Sequence, residues 1–120
     1  MKRKAYTLST CDTSKKILSL AGISKDNFEI IDIKQSPITE SELEEMKELS
    51  GSYESLFSRR AQKYKSMGLK DKSLSENDFK ALILKEYTFL KRPVIIIGNE
   101  IFIGNAKKNV NDLYMRLGNL

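Results

Sequence analysis

The sequence predicts an α/β fold with a mixed four-stranded sheet, and two stretches of the chain carry this prediction. A short apolar strand, an amphipathic helix and a second strand fill residues 4–33, the pattern of two parallel strands joined by a crossover helix. Near the C terminus, two apolar runs flank Gly98-Asn99, which predicts an antiparallel hairpin, and a helical pattern follows. Only helical patterns lie between these two stretches.

The first three elements are defined by their apolar spacing and by their ends. Residues 4–8 alternate as a strand requires, either at the edge or in the centre of the sheet. From Asp12 onwards the apolar residues recur at helical spacing, and Gly22 ends this helix. Residues 28–33 (FEIIDI) are rich in β-branched side chains, which predicts the second strand.

Residues 39–87 are predicted to form an all-helical insertion. Two Ser or Thr residues are each followed three positions later by an acidic residue, the capping-box pattern that begins a helix. These pairs are Thr39 with Glu42 and Ser75 with Asp78. Residues 53–67 predict one or two further short helices, and the helix that begins at Ser75 is expected to have a buried stripe that extends to Tyr87.

The remaining elements complete a single domain over residues 1–120. Residues 94–97 predict a buried strand, 100–103 the returning strand of the hairpin, and 106–117 the closing helix. The order β-α-β, helical insertion, β-β-α is the thioredoxin arrangement. In open α/β sheets, functional sites lie where strand ends meet helix starts, and the first such junction contains Cys11.

Composition limits the functions that the chain can have. With one cysteine and no histidine, an internal disulfide is excluded and a metal site of the Cys and His type is not expected. No bound cofactor is expected either. The net charge of +5 is a mild bias towards anionic partners, and direct nucleic-acid binding is not expected from it. No apolar run resembles a secretion signal or a membrane span, so a cytoplasmic protein without a membrane partner is expected.

Cys11 is the strongest candidate for chemistry. It lies between the first strand and the first helix, where unpaired N–H groups and the helix dipole lower the pKa of a thiol. Ser14 completes a Cys-x-x-Ser spacing, and its hydroxyl or N–H could donate to the sulfur. The alternative interpretation is that Cys11 is a small buried residue without reactivity.

Three arginines and one threonine are candidates for binding an anion. Arg92 precedes a proline at the start of the third strand, and a guanidinium group binds oxyanions with two parallel hydrogen bonds. Arg59 and Arg60 lie in the helical insertion, and Thr13 follows the cysteine in the first helical turn. For the arginines, the alternative interpretation is a solvated charge at the surface.

Four pieces of the sequence, in this order, resemble the arsenate reductase family of the glutaredoxin-coupled type, which includes the Spx regulators and the YffB-like proteins. They are residues 10–15 (TCDTSK), 57–60 (FSRR) with 64–69 (YKSMGL), 90–94 (LKRPV) and 103–104 (IG). The resemblance covers nearly the whole chain. It implies a thioredoxin fold in which Pro93 follows a cis peptide bond and faces the active-site cysteine.

The resemblance also implies roles for individual residues. Cys11 matches the nucleophilic cysteine, whose thiolate attacks arsenate before glutathione and a glutaredoxin reduce the adduct. Arg92 matches an arginine that binds the oxyanion. A second arginine of the reductases falls at Ser58, where Arg59 or Arg60 would substitute for it. A third falls near Gly104, and a glycine there is typical of the Spx and YffB-like branch.

Two functions follow as hypotheses. The first is a monothiol oxidoreductase in which Cys11 attacks an oxyanion or a thiol substrate and Ser14 stabilises the thiolate. Its electrons would come from glutathione or another low-molecular-weight thiol, with a glutaredoxin-like protein as partner. The second is an Spx-like regulatory module that docks on RNA polymerase or another protein without turnover. Most Spx regulators have a second cysteine where this chain has Ser14, so the internal redox switch is absent here.

Overall fold

The computed structural model describes residues 1–120 and contains four strands, five α-helices and three 3₁₀ turns. The 3₁₀ turns cover Glu54–Leu56, Leu69–Asp71 and Tyr87–Phe89. In chain order, the other elements are β1 (Arg3–Thr7), α1 (Asp12–Leu20), β2 (Glu29–Asp32), α2 (Glu40–Ser50), α3 (Gln62–Ser66), α4 (Glu76–Lys85), β3 (Val94–Ile97), β4 (Glu100–Ile103) and α5 (Lys107–Gly118). This order confirms the predicted α/β fold.

The four strands form one mixed sheet in the order β2-β1-β3-β4. β1 is parallel to β2 and antiparallel to β3, and β3 is antiparallel to β4. β1 is therefore a central strand, a choice that its sequence left open. Ala5 and Tyr6 point to opposite faces of this strand, and both are fully buried, so both faces of the sheet are covered at this point.

The chain divides into two compact units, which are described separately. The first comprises Met1–Ser36 and Arg92–Leu120 and contains the sheet with α1 and α5. One face of the sheet packs against these two helices. The buried residues of this core are Ala5, Ile17, Leu18, Ile23, Phe28, Ile95, Ile97, Phe102 and Leu113.

The second unit, Pro37–Lys91, contains α2, α3, α4 and the three 3₁₀ turns. Its centre is aromatic: the ring of Phe57 lies 4.9 Å from that of Phe79 and 5.0 Å from that of Phe89, measured between centroids. Lys80 on α4 forms ion pairs with two glutamates of α2 and so ties the two helices together. The single domain with an insertion over 39–87 stays a prediction, and the bounds of this unit lie close to those of the insertion.

Both predicted capping boxes are present and begin α2 and α4. Thr39 Oγ1 accepts a hydrogen bond from the Glu42 N–H at 3.1 Å, and the Glu42 carboxylate accepts from the Thr39 N–H at 3.0 Å. Ser75 and Asp78 make the same reciprocal pair at 3.2 and 2.8 Å. These bonds satisfy amide donors that have no partner within the helix, which is why a local sequence pattern locates both helix starts.

The structure corrects the C-terminal end of one predicted helix and divides residues 53–67 into two short helices, as one of the predicted alternatives had it. α4 ends at Lys85 and Tyr87 opens a separate 3₁₀ turn, because Glu86 has an extended backbone that no helix can contain. Between Glu54–Leu56 and α3 the chain is extended at Phe57, which pairs with Leu90 in an isolated antiparallel bridge. None of the five helices combines the length and the apolar character that crossing a membrane requires.

Candidate active site

Cys11 is fixed at the junction between β1 and α1 by its own backbone. It is the N-cap residue of α1 and has extended dihedral angles. Its N–H donates to the carbonyl of Leu8 at 2.9 Å, and its carbonyl accepts from the N–H of Lys15 at 3.1 Å. The side chain takes no part in capping the helix, so the half-buried sulfur remains available for chemistry.

Ser14 lies directly beside the sulfur. Residues three apart face the same side of a helix, so the first turn of α1 brings the two side chains together. The Ser14 hydroxyl donates a hydrogen bond to Cys11 Sγ at 3.3 Å, and Ser14 is fully buried. Because buried hydroxyl groups almost always form a hydrogen bond, the burial of Ser14 favours its contact with the Cys11 sulfur.

Arg92, the first residue of the second chain segment of this unit, also interacts with the Cys11 sulfur. β3 runs antiparallel to β1, with Val94 opposite Tyr6, so the residues just before β3 lie beside the end of β1. The half-buried Arg92 interacts with Cys11 through its charge and through a hydrogen bond. The peptide bond between Arg92 and Pro93 is cis, as the resemblance implied.

These contacts determine the ionisation of the thiol. Partial burial of Cys11 acts to raise its pKa, because removal from water penalises the charged form. The hydrogen bonds from the Ser14 side chain and backbone oppose this effect, as do the charge and hydrogen bond of Arg92. The opposing effects together are larger, so the pKa of Cys11 lies below that of an ordinary thiol.

The other predicted anion ligands have different surroundings. Thr13 is exposed on the first turn of α1. Arg59, in the second unit, forms an ion pair with Glu54 at 2.8 Å, and its guanidinium carbon lies 5.5 Å from the centre of the Phe79 ring. The hydrogen bond to Glu54 is the main reason why the pKa of Arg59 is raised. Arg60 is exposed and forms no ion pair. That Thr13, Arg59 or Arg60 binds the anion stays a prediction.

Asp32 is a polar residue near the site that the sequence analysis did not single out. Its Oδ1 accepts hydrogen bonds from the Ser9 N–H at 3.5 Å and from the Lys34 N–H at 3.1 Å. The pKa of Asp32 is lowered, first by a hydrogen bond from the Ser9 side chain. Because β2 is parallel to β1, with Asp32 opposite Thr7, this carboxylate lies where it can hold the loop that leads to Cys11. Asp32 is the last residue of a strand that the sequence predicts to be parallel, and the ends of such strands are where sites form, so this position could have identified it.

An open pocket of about 640 Å³ lies between α1 and β2 on the face of the sheet that carries Thr7. Thr7 is only 6% exposed, and its hydroxyl oxygen makes no hydrogen bond. Ser9, Lys15 and Asp32 contribute polar groups to the wall. No group of three or more His, Cys, Asp and Glu side chains is placed to hold a metal ion.

The geometry supports attack by a thiolate on an anionic substrate. The first N–H groups of α1 have no partners within the helix, and the helix dipole favours negative charge at this end. Arg92 adds a full positive charge that acts on the sulfur. The same groups that stabilise the thiolate can therefore bind an oxyanion beside it.

Comparison with known proteins identifies relatives over nearly the whole chain. A model of the ArsC family matches residues 6–113. An arsenate reductase from Vibrio cholerae has a similar structure, with a TM-score of 0.76, 19% identity and coverage of 94% of this chain and 98% of that chain. An arsenate reductase related protein from Brucella melitensis has a TM-score of 0.66 and 20% identity, covering 93% of each chain.

A third similar structure, described as a possible arsenate reductase from Streptococcus mutans, has a TM-score of 0.65 and 27% identity, with coverage of 91% of this chain and 97% of that chain. No curated protein matches the sequence. The structures below 25% identity establish the thioredoxin-like fold, and the family model extends over most of the chain. The chain therefore belongs to the ArsC family.

Proposed function

We propose that the protein is a monothiol oxidoreductase in which Cys11 is the nucleophile towards an oxyanion of the arsenate type. One observation carries the proposal: Cys11 Sγ receives a hydrogen bond from Ser14 at 3.3 Å and lies within the field of Arg92. A thiol with a lowered pKa has a larger thiolate fraction at neutral pH, and the thiolate is the nucleophile. Membership of the ArsC family supports the class of substrate.

The reaction needs one cysteine in the protein and two external thiols. The Cys11 thiolate attacks the arsenic atom, water leaves, and a sulfur–arsenic bond forms while arsenic remains pentavalent. The external thiols then supply two electrons and are joined as a disulfide. Arsenic leaves as trivalent arsenite, and Cys11 returns as a thiol. Glutathione or another low-molecular-weight thiol, with a glutaredoxin-like protein, fits this role because the chain has no second cysteine to form an internal disulfide.

Each residue at the site has a separate task in this proposal. Arg92 binds and orients the oxyanion beside the sulfur. Its positive charge also stabilises the negative charge on the oxyanion oxygens during the attack. Ser14 keeps the sulfur ionised before the attack. Thr13 and the first N–H groups of α1 are the remaining donors in the first unit.

The test is the rate of Cys11 alkylation by iodoacetamide as a function of pH, with and without arsenate or phosphate. We expect the rate to rise at a pH below that of an ordinary thiol and both anions to protect the cysteine. Arg92→Gln should remove the protection, whereas Arg116→Gln, a change of another arginine in the same unit, should keep it. A low midpoint without protection would exclude the oxyanion substrate and leave a thiol substrate for the same nucleophile.

An Spx-like binding module is the second candidate function. The observation that favours it is that few arginines remain to bind an oxyanion. Arg59 forms an ion pair with Glu54, and the chain has Gly104 where the reductases have another arginine. Direct binding to purified RNA polymerase tests this candidate. If it is correct, Arg60→Glu abolishes binding while Cys11→Ser does not, and no arsenate-dependent oxidation of glutathione is measured. Turnover that is lost in Cys11→Ser would exclude it.

A further inference from the structure

Basic residues occur along the whole chain, and one short stretch of the helical second unit has them at high density. Residues 59–72, called the basic segment below, contain six of the 21 lysines and arginines and one acidic residue, Asp71. The basic segment therefore carries a net charge of +5 over 14 residues, whereas in the rest of the chain the basic and acidic residues are equal in number. The overall composition therefore conceals a local positive potential.

The six cations of the basic segment are all exposed. Acidic neighbours neutralise two of them: Arg59 pairs with Glu54 at 2.8 Å, and Lys63 pairs with Glu86 at 2.8 Å. The four that form no ion pair are Arg60, Lys65, Lys70 and Lys72. These four charges face water without compensation and are available to an anionic partner.

The backbone of the basic segment is held in place by packing of its apolar side chains. Leu69 is buried, and the Tyr64 ring packs edge-on against Phe57 with 6.0 Å between centroids. Gly68, in the left-handed conformation with φ of 67°, joins α3 to the 3₁₀ turn that follows it. Because the backbone is already folded, a partner would have to immobilise only the lysine and arginine side chains.

We propose that the basic segment is a binding surface for the phosphate backbone of nucleic acid. Lysine is depleted at protein–protein interfaces, whereas lysine and arginine supply most contacts to phosphates. α3 has five residues and is about 7.5 Å long, too short to lie along a groove and read bases. The binding should therefore be independent of sequence. The proposal departs from the expectation based on net charge, and it does not depend on the chemistry of Cys11.

The experiment measures the binding of a fluorescent DNA duplex of about 20 base pairs by anisotropy over a range of salt concentrations. Four phosphate contacts predict a slope of about −3.6 in log K against log salt, so affinity should fall about 150-fold between about 50 and 200 mM salt. The triple variant Lys65→Gln, Lys70→Gln, Lys72→Gln should reduce the slope to about −0.9 and weaken binding at low salt by at least about tenfold.

The matched control is the triple variant Lys16→Gln, Lys25→Gln, Lys107→Gln, which removes the same charge from exposed positions elsewhere. It should keep the slope of the unchanged protein. The single variant Lys72→Gln, outside every helix, should lower the slope by about 0.9 and covers the case in which the triple variant fails to fold.

Three results would overturn the proposal. The first is an unchanged protein that does not bind the duplex at low salt. The second is an equal loss in both triple variants, because binding would then reflect overall charge. The third is tighter binding of polyglutamate than of DNA through the same lysines, which would identify an acidic protein surface as the partner. Equal affinity for two unrelated duplex sequences, with loss only in the variant of the basic segment, supports it.

Discussion

Replacing Ser14 by alanine should raise the pKa of Cys11 and slow its reaction at neutral pH. The Ser14 hydroxyl donates to Cys11 Sγ at 3.3 Å from a fully buried position, and no other side chain in this turn makes that contact. A hydrogen bond to a charged group stabilises it by about 1.5–3 kcal/mol. The half-exposed sulfur and the long distance reduce this to about 1 kcal/mol, which is about a fivefold loss of thiolate relative to thiol.

The assay is the pseudo-first-order rate of iodoacetamide alkylation of Cys11 between about pH 5 and pH 10, compared with the ordinary thiol range. The sign follows from the direction of the shift: the lowered pKa favours the thiolate, so loss of the hydrogen bond decreases the rate below the new pKa. Above it both proteins are fully ionised, and the rates should converge. Ser19→Ala, an exposed serine on the same helix, is the matched control and should leave the whole profile unchanged.

Two results would refute this reasoning. An unchanged rate at neutral pH would mean that Ser14 does not stabilise the thiolate, and the lowered pKa would have to come from Arg92 and the backbone. A rate that falls equally at every pH would indicate a changed position of the sulfur rather than a changed ionisation. Circular dichroism melting of each variant separates both results from loss of the fold.

Three further predictions concern Arg92, Asp32 and the two capped helices. Arg92→Gln should raise the pKa of Cys11, because it removes a positive charge beside the sulfur, and an alkylation profile identical to that of the unchanged protein would contradict this. Asp32→Ala should slow alkylation severalfold by loosening the loop before Cys11. In the wild-type protein the pKa of Asp32 is lowered, so ionised Asp32 adds to the free energy of unfolding at neutral pH, and this contribution is lost when the pH falls through that pKa. Urea unfolding of Asp32→Ala should lack this pH dependence. Thr39→Ala should lower the free energy of unfolding by about 1 kcal/mol, and Ser75→Ala by a similar amount, as measured by urea titration; changes below a few tenths would show that the capping boxes contribute little.

The sequence determined the features that depend on near neighbours in the chain. Thr39 with Glu42 and Ser75 with Asp78 are three residues apart, so the capping bonds form within one turn and need no other part of the molecule. Cys11 and Ser14 have the same spacing, which is why their contact could be expected from the sequence. The strands followed from β-branched runs between turn residues, and their order along the chain sufficed for the thioredoxin arrangement.

Only the tertiary structure decided which distant groups meet. Pairing of β1 with β3 brings Arg92 to Cys11, and pairing of β1 with β2 brings Asp32 to the loop before it. Within the second unit, the fold likewise pairs Lys63 with Glu86, which lies 23 residues further along the chain. Local propensity contains no information about such contacts, because they arise from strand pairing and side-chain packing between residues far apart in sequence.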